Sequence, residues 1–447
     1  MLFIAIDDLR PELGCYGNTE VQSPSIDKIA SEGTVFQRAY CQQALCGPSR
    51  LSLMTGMYPD SLQIWGMSAA NKRDWRKEKP EIISLSQQFR NHGYKAIGFG
   101  KIYDNRLGLD LEHSWDSFHQ GWKGKYVRPE NRKTSNSKGQ DGKPAERAAY
   151  EGEDVPDETF TDGSNTRLAL EVLKEHDPDK PLFLAVGFAK PHLPFIAPKK
   201  YWDLYDPEKL TLAGRITPPD GHSEYLLSKY KEIFAYNVPN PVPLDTERTL
   251  LHGYYACVSY IDAQIGKLVA ALKDKGMYEN TIIVIWGDHG FKLGEFSEWA
   301  KHTNLELDAR VPLIIRAPGN SIASGKTESL VELVDVLPTT CELAGLKIPA
   351  NAEGKSLVPV MNNPDKSVRD TALTQYPRQN ATMSYSIRTK DWRYIETRYK
   401  KSGKVAAAEL YKLDNNTIET KNVISQKPQV AAKHSRLLND RIKQINQ

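Results

Sequence analysis

Three short stretches of the 447-residue chain carry side chains able to do chemistry. In IDD, Asp7 and Asp8 are adjacent carboxylates at the end of an apolar run. Such a pair repels itself unless a cation neutralises it. In GDHG, Asp288 and His289 follow the apolar run TIIVIW, and the flanking glycines permit close backbone approach. Each cluster alone reads as a polar turn. Together they bring three carboxylates and an imidazole to one sheet edge, a donor set for a hard divalent cation. The third stretch is CGPSRLSLMTG, 46–56, where Pro48 and Ser49 suit the first turn of a helix and Cys46 sits at its amino end. Arg50 lies four residues on and projects from the same face. Free N–H groups at a helix start attract tetrahedral anions, and an arginine adds a fixed fork of donors. The pattern is an anion site holding a nucleophile-type residue or, more plainly, a capped helix with a buried cysteine.

These clusters need a scaffold that delivers chain ends to one edge. Short apolar runs at 2–6, 95–99, 182–188, 281–286 and 312–316 read as buried strands. Helical patterns fall between them at 25–33, 49–57, 82–92, 162–176, 247–275 and 331–344. The alternation predicts an α/β fold, a large mainly parallel sheet sandwiched by helices, with ligands beyond the carboxyl ends of its strands. Two long polar or Pro/Tyr-rich stretches, 104–157 and 201–244, are expected to wall a substrate cleft. From about residue 362 the runs become shorter and alternating, at 371–376, 384–388, 392–397 and 409–413, with a closing helix at 431–445. We expect a catalytic domain over 1–362 and a smaller antiparallel α+β subdomain over 363–447.

Composition excludes several classes. The 59 basic and 56 acidic residues nearly balance at a net charge of +3, and no long basic run suggests a nucleic-acid partner. The five cysteines show neither a CxxC pair nor zinc spacing. The longest apolar runs are too short to span a bilayer. No signal peptide is visible ahead of the first strand, and removal of an upstream export segment is the expectation that reconciles this with an exported protein.

The motif C-x-P-S-R followed by M-T-G, carried by Cys46, Pro48, Ser49, Arg50, Met54, Thr55 and Gly56, resembles the signature of the type I, formylglycine-dependent sulfatases. Further stretches extend the likeness over nearly the whole chain and resemble the iduronate-2-sulfatase branch. They include DDLRPELGCYGN (7–18), FLAVGFAKPHLPF (183–195), GDHGFKLGE with EWAKH (287–302), ELVDVLPTTCELAGL (332–346), QYPR (375–378) and YSIRTKDWRY (385–394).

The resemblance implies an alkaline-phosphatase-like fold and sulfate-ester hydrolysis. It implies that a formylglycine-generating or sulfatase-maturating enzyme converts Cys46 to formylglycine, and that one calcium ion is held by Asp7, Asp8, Asp288 and His289 with the modified Cys46. Arg50, Lys101 and Lys301 would surround the sulfate, and His192 would protonate the departing alcohol. The chain departs from the branch at Asp104, where a histidine is expected three residues after Lys101, and a carboxylate there repels sulfate unless protonated or turned away. The implied substrate is a sulfated oligosaccharide, foremost a 2-O-sulfated uronic acid of heparan or dermatan type. Trp65, Trp122, Tyr126, Phe195 and Trp299 are candidate aromatic walls, and Arg378 and Arg388 candidate grips for a uronate carboxylate. Glycan degradation suggests a periplasmic or secreted home in bacteria, or a lysosomal one in eukaryotes. Three alternatives remain, the first a sulfatase acting on another sulfated polysaccharide. A phosphatase or phosphodiesterase of the same broad fold would carry two zinc ions, and a sulfated-glycan binder would leave Cys46 a thiol.

Overall fold

The computed structural model describes residues 1–67, 74–121, 126–132, 147–214, 216–319, 324–379, 381–413 and 418–445. In chain order the strands are β1 (Leu2–Asp7), β2 (Thr34–Tyr40), β3 (Lys95–Gly100), β4 (Ser117–His119), β5 (Tyr150–Glu153), β6 (Leu182–Pro191), β7 (Phe195–Pro198) and β8 (Ile283–Gly287). They continue with β9 (Arg310–Val311), β10 (Leu313–Arg316), β11 (Gly325–Glu332), β12 (Ala372–Arg378), β13 (Thr382–Arg388), β14 (Trp392–Tyr399) and β15 (Val405–Lys412). The large sheet runs β11-β2-β10-β8-β1-β6-β3-β4, with β9 paired to β2. β8, β1, β6, β3 and β4 are mutually parallel, while β10 runs antiparallel to both its neighbours.

Side chains alternate across a strand, so a sheet covered on both faces needs apolar residues at every position. β1 meets that demand. Leu2, Ile4 and Ile6 join one core and Phe3 and Ala5 the other. β6 and β8 divide in the same way, Leu184 and Ile285 to one side, Phe183 and Trp286 to the other. The helices Thr161–Glu175 and Leu244–Asp274 cover the first face. Cys46–Thr55, Leu85–Asn91 and Val336–Leu343 cover the second. Full burial of each such side chain stabilises by roughly 1.5–3 kcal/mol, which is why long apolar strands sit at the centre.

The second sheet is the antiparallel meander β12-β13-β14-β15, closed by the helix Pro428–Ile445 through Ala431, Leu438 and Ile445. It is stitched to the large sheet where Gln375 N–H donates to the Gln42 carbonyl at 2.8 Å and Thr374 Oγ1 to that of Cys41 at 2.8 Å. One expectation changes at 331–344. Val331 and Glu332 end strand β11, and the helix begins at Val336. Among the described residues, no helix is long and apolar enough to cross a membrane.

Candidate active site

Because β8, β1, β6 and β3 are adjacent and parallel, their carboxyl ends line up, and each hands its next residues to one place. β1 delivers Asp7 and Asp8, β8 delivers Asp288 and His289, β3 delivers Lys101, and β6 delivers His192. Asp8 takes a left-handed backbone (φ 59°), which Asp tolerates better than most residues, and its N–H donates to Asp288 Oδ1 at 3.1 Å. Gly287 and Gly290 are required by close approach, since a Cβ would fall 2.4 Å from the Leu9 carbonyl oxygen and 2.0 Å from that of Leu307.

Helix Cys46–Thr55 enters from the second face, fully buried, and brings Cys46 Sγ to 3.2 Å from His289 Nε2. Burial and the Asp7 charge push this thiol well above its usual range, against the pull of Lys101 and Lys301. Asp7, Asp8, Cys46 and His289 each present one ligand atom, all within 4.8 Å of one another. Asp288 stands beside them with both oxygens engaged: Oδ1 accepts from the Asp8 and His289 N–H groups, and Oδ2 from Arg50 Nε at 2.9 Å.

The charges around this cluster are close-set. Lys101 Nζ lies 2.5 Å from Asp7 Oδ2. Lys301 Nζ bonds both oxygens of Asp8, at 2.7 and 2.8 Å, and lies 3.0 Å from Glu232 Oε2. Burial pushes the Asp8 carboxyl well above its ordinary range, and Asp7, Glu232 and Asp288 add to this against Lys301. Four carboxylates (Asp7, Asp8, Asp288, Glu232) thus face three cations (Arg50, Lys101, Lys301). The donor set, hard oxygens with one imidazole, fits a divalent ion.

A cavity of about 510 Å³ opens over the cluster, lined among others by Asp7, Cys46, Lys101, Asp104, Arg106, His192, Tyr230, Glu232 and Lys301. His192 turns Nδ1 to the Leu193 carbonyl at 2.6 Å and Nε2 to Glu232 Oε1 at 3.2 Å. Both nitrogens face acceptors, an arrangement that suits an imidazolium. Burial, with the Lys301 charge, nevertheless holds the ring down to about 3, against Glu232 and Asp7.

Several expected residues sit elsewhere. Arg50 does not line the cavity; its donors are taken by Asp7, Asp288 and the carbonyls of Lys101 and Ile102. It clamps the carboxylates of Asp7 and Asp288. Arg388 is buried against Glu306 and the carbonyls of Thr389 and Lys390, away from the cleft. Arg378 lies behind the cavity wall, donating to the His302 carbonyl at 2.8 Å. Phe195 and Trp299 pack on each other in the core. Tyr126 caps the Ala148 carbonyl, and Trp65 binds Asp60 and carries the Lys400 ammonium over its ring. Trp122 falls outside the described residues. Among the described residues, the aromatic lining is Tyr103, Phe160 and Tyr230. Glu232, Tyr230 and Arg106 were not picked out from sequence, because each lies in an irregular stretch with no periodic or motif signal.

Asp104 is neither protonated nor turned away. It accepts from Arg106 Nε and Nη2, both at 2.8 Å, and lies 3.9 Å from Lys101 Nζ. Burial works against its ionisation, yet the Arg106 bonds and the Lys101 charge hold it below the ordinary carboxylate range.

The family model described as Sulfatase matches residues 1–346, and that for the N-sulphoglucosamine sulphohydrolase C-terminal region matches 294–447. Iduronate 2-sulfatase of Mus musculus is 33% identical, over 97% of this chain and 92% of its own. A solved structure in complex with its substrate D-glucosamine-2-N,6-O-disulfate superposes with a TM-score of 0.78 at 21% identity, covering 100% of this chain and 98% of its own. The phosphonate monoester hydrolase of Agrobacterium radiobacter superposes with a TM-score of 0.78 at 21% identity, over 99% and 95%. At such identities the two solved structures speak for the fold alone.

Proposed function

The chain belongs to the sulfatase family and is a sulfuric ester hydrolase, and from that premise we propose that it removes the 2-O-sulfate of a uronic acid in glycosaminoglycan breakdown. The observation that carries the reading is the convergence of Lys101, His192 and Lys301 on Cys46 in the lining of one cavity, beside a group of side chains able to hold a metal ion. The substrate class rests on the 33% identity to an iduronate 2-sulfatase.

Asp7, Asp8, Asp288 and His289 would hold one calcium ion, and Cys46, converted by a maturating enzyme to formylglycine, would complete its shell. When present, these groups supply a hydroxyl nucleophile of lowered pKa and orient the sulfate oxygens. A buried, protonated thiol is a poor nucleophile, which favours a precursor role for Cys46.

The remaining work falls to the chain's own side chains. Lys101 and Lys301 aim ammonium groups at the space beside Cys46 and stabilise charge developing on the sulfate oxygens. Arg50 fixes Asp7 and Asp288, so the carboxylates need no rearrangement during reaction. His192 lines the cavity with Nε2 beside Glu232, the position from which a proton would pass to the leaving sugar oxygen. A glycosaminoglycan substrate suits a periplasmic, secreted or lysosomal site of action.

The test is sulfate release from a 2-O-sulfated unsaturated uronate disaccharide against 6-O- and N-sulfated counterparts, with Cys46 conversion verified by peptide mass. Selective release from the first supports the reading. Silence on all three from converted protein removes the glycosaminoglycan assignment.

A further inference from the structure

The loop leaving β3 holds a feature that the mechanism above does not use. Four described lysines and arginines line the cavity: Lys101, Arg106, Lys190 and Lys301. Three are committed. Lys101 sits on Asp7, Lys301 on Asp8 and Glu232, and Lys190 donates to the His192 and Pro194 carbonyls at 2.6 Å each. Arg106 differs. Its side chain is 48% exposed, and its bonds go to one carboxylate, Asp104, within its own turn.

A guanidinium is a planar fork with two usable edges. Asp104 takes the Nε–Nη2 edge with two bonds of 2.8 Å, and its Oδ1 also accepts the Arg106 backbone N–H at 3.1 Å. Nη1 has no hydrogen-bond partner among the described residues, so the Nη1–Nη2 edge is open to a second, bidentate anion. The side chain is therefore fixed before any ligand arrives, which removes much of the entropic cost of gripping one. Cys46 and Asp7 line the same cavity as Arg106, so it stands near the reacting centre without belonging to it.

We propose that Arg106, held from behind by Asp104, determines specificity by binding an anionic substituent of the sugar next to the scissile ester. On the 2-O-sulfated uronate reading, on which this detail rests, that substituent is the carboxylate. Asp104 then has a positive task in place of the expected histidine: it trades a direct sulfate contact for a rigid second anion site.

The experiment compares wild-type protein, converted at Cys46, with Arg106→Ala, Arg106→Lys and Asp104→Asn. The substrates are the 2-O-sulfated uronate disaccharide and its counterpart with the carboxyl reduced to an alcohol. Wild type is expected to prefer the carboxylated sugar. Arg106→Ala should shrink that preference by about 10- to 100-fold, chiefly through KM, the size of a lost charge-assisted pair. Arg106→Lys and Asp104→Asn should fall between. Equal losses on both sugars, or no loss on either, overturn the proposal. If wild type ignores both sugars but cleaves 6-O-sulfated glucosamine, the uronate reading fails separately. The comparison then becomes N-sulfated against N-acetylated glucosamine: a preference that collapses in Arg106→Ala upholds the anion site, and one that does not refutes it.

Discussion

Lys301 Nζ bridges Asp8 and Glu232, 2.7 and 2.8 Å from the two Asp8 oxygens and 3.0 Å from Glu232 Oε2. A built-in ammonium thus stands among Asp8, His192 and Glu232, a second group of side chains able to hold a metal ion. Lys301→Met should lower kcat on the order of 10²–10³-fold, since it deletes a cation aimed at the reacting oxygens. It also leaves two buried carboxylates unpaired, a change that destabilises by about 3–5 kcal/mol. Added calcium should recover part of the lost melting temperature but none of the turnover. Activity within tenfold of wild type would remove Lys301 from the site.

The carboxylate excess has a second consequence. Treatment with EGTA should abolish turnover and lower the melting temperature, and calcium should restore both. Calcium at about a hundredfold above its Kd stabilises by ~2.7 kcal/mol if it binds the folded chain alone. Recovery by zinc at two ions per chain, with calcium inert, would reverse the assignment.

What the sequence could and could not disclose follows from the physics of each element. β1, β3, β6 and β8 were legible because strands buried on both faces must be apolar at every position, and their following residues then fall at one edge. The placement of Lys101 and His192 needed the family likeness as well, since neither sits in a pattern of its own. The stretch 331–344 misled because an apolar run such as LVELVDVL satisfies a buried strand and a buried helix equally. Arg50 and Arg388 read as anion-binding from sequence, and the structure shows each bonded to buried acids of the protein itself, Arg50 to Asp7 and Asp288 and Arg388 to Glu306. Glu232 and Arg106 were invisible because irregular loops place side chains by tertiary contacts that no local periodicity records.

Stability against pH should carry a contribution from a buried cluster outside the cavity lining, beside those of Asp262 and Asp335, each pushed up to about 6. Glu306 bonds Arg393 and Arg388, and despite burial these arginines hold it down to about 2. Glu419 is pushed up to about 7 by burial, against Arg393, with Glu306 adding to the rise. For Glu419 the folded form binds the proton more tightly than the unfolded one, so its contribution increases as pH falls from about 7 toward the ordinary glutamate range. Glu306 has the opposite sign: its contribution is complete above that ordinary range and is lost as pH falls toward about 2. Glu419→Gln should therefore flatten the rise in melting temperature between pH 7.5 and 5 while leaving the acid limb intact. An unchanged rise in the variant would mean that other groups produce it.

His192 can be tested through the leaving group. A sugar alkoxide leaves poorly and needs a proton, whereas a nitrophenolate leaves unaided. If His192 Nε2 supplies that proton, His192→Ala should cost on the order of 10²–10⁴-fold in kcat on the sugar sulfate. The loss on 4-nitrophenyl sulfate should be far smaller. A uniform loss on both would mean that the ring only positions the sulfate. Glu232→Gln separates the two roles further, because Glu232 meets both His192 Nε2 and Lys301 Nζ. If its main duty is to orient the imidazole, the variant should share the leaving-group dependence of His192→Ala. If it serves chiefly as the counter-charge of Lys301, the loss should be the same for both substrates, as for Lys301→Met.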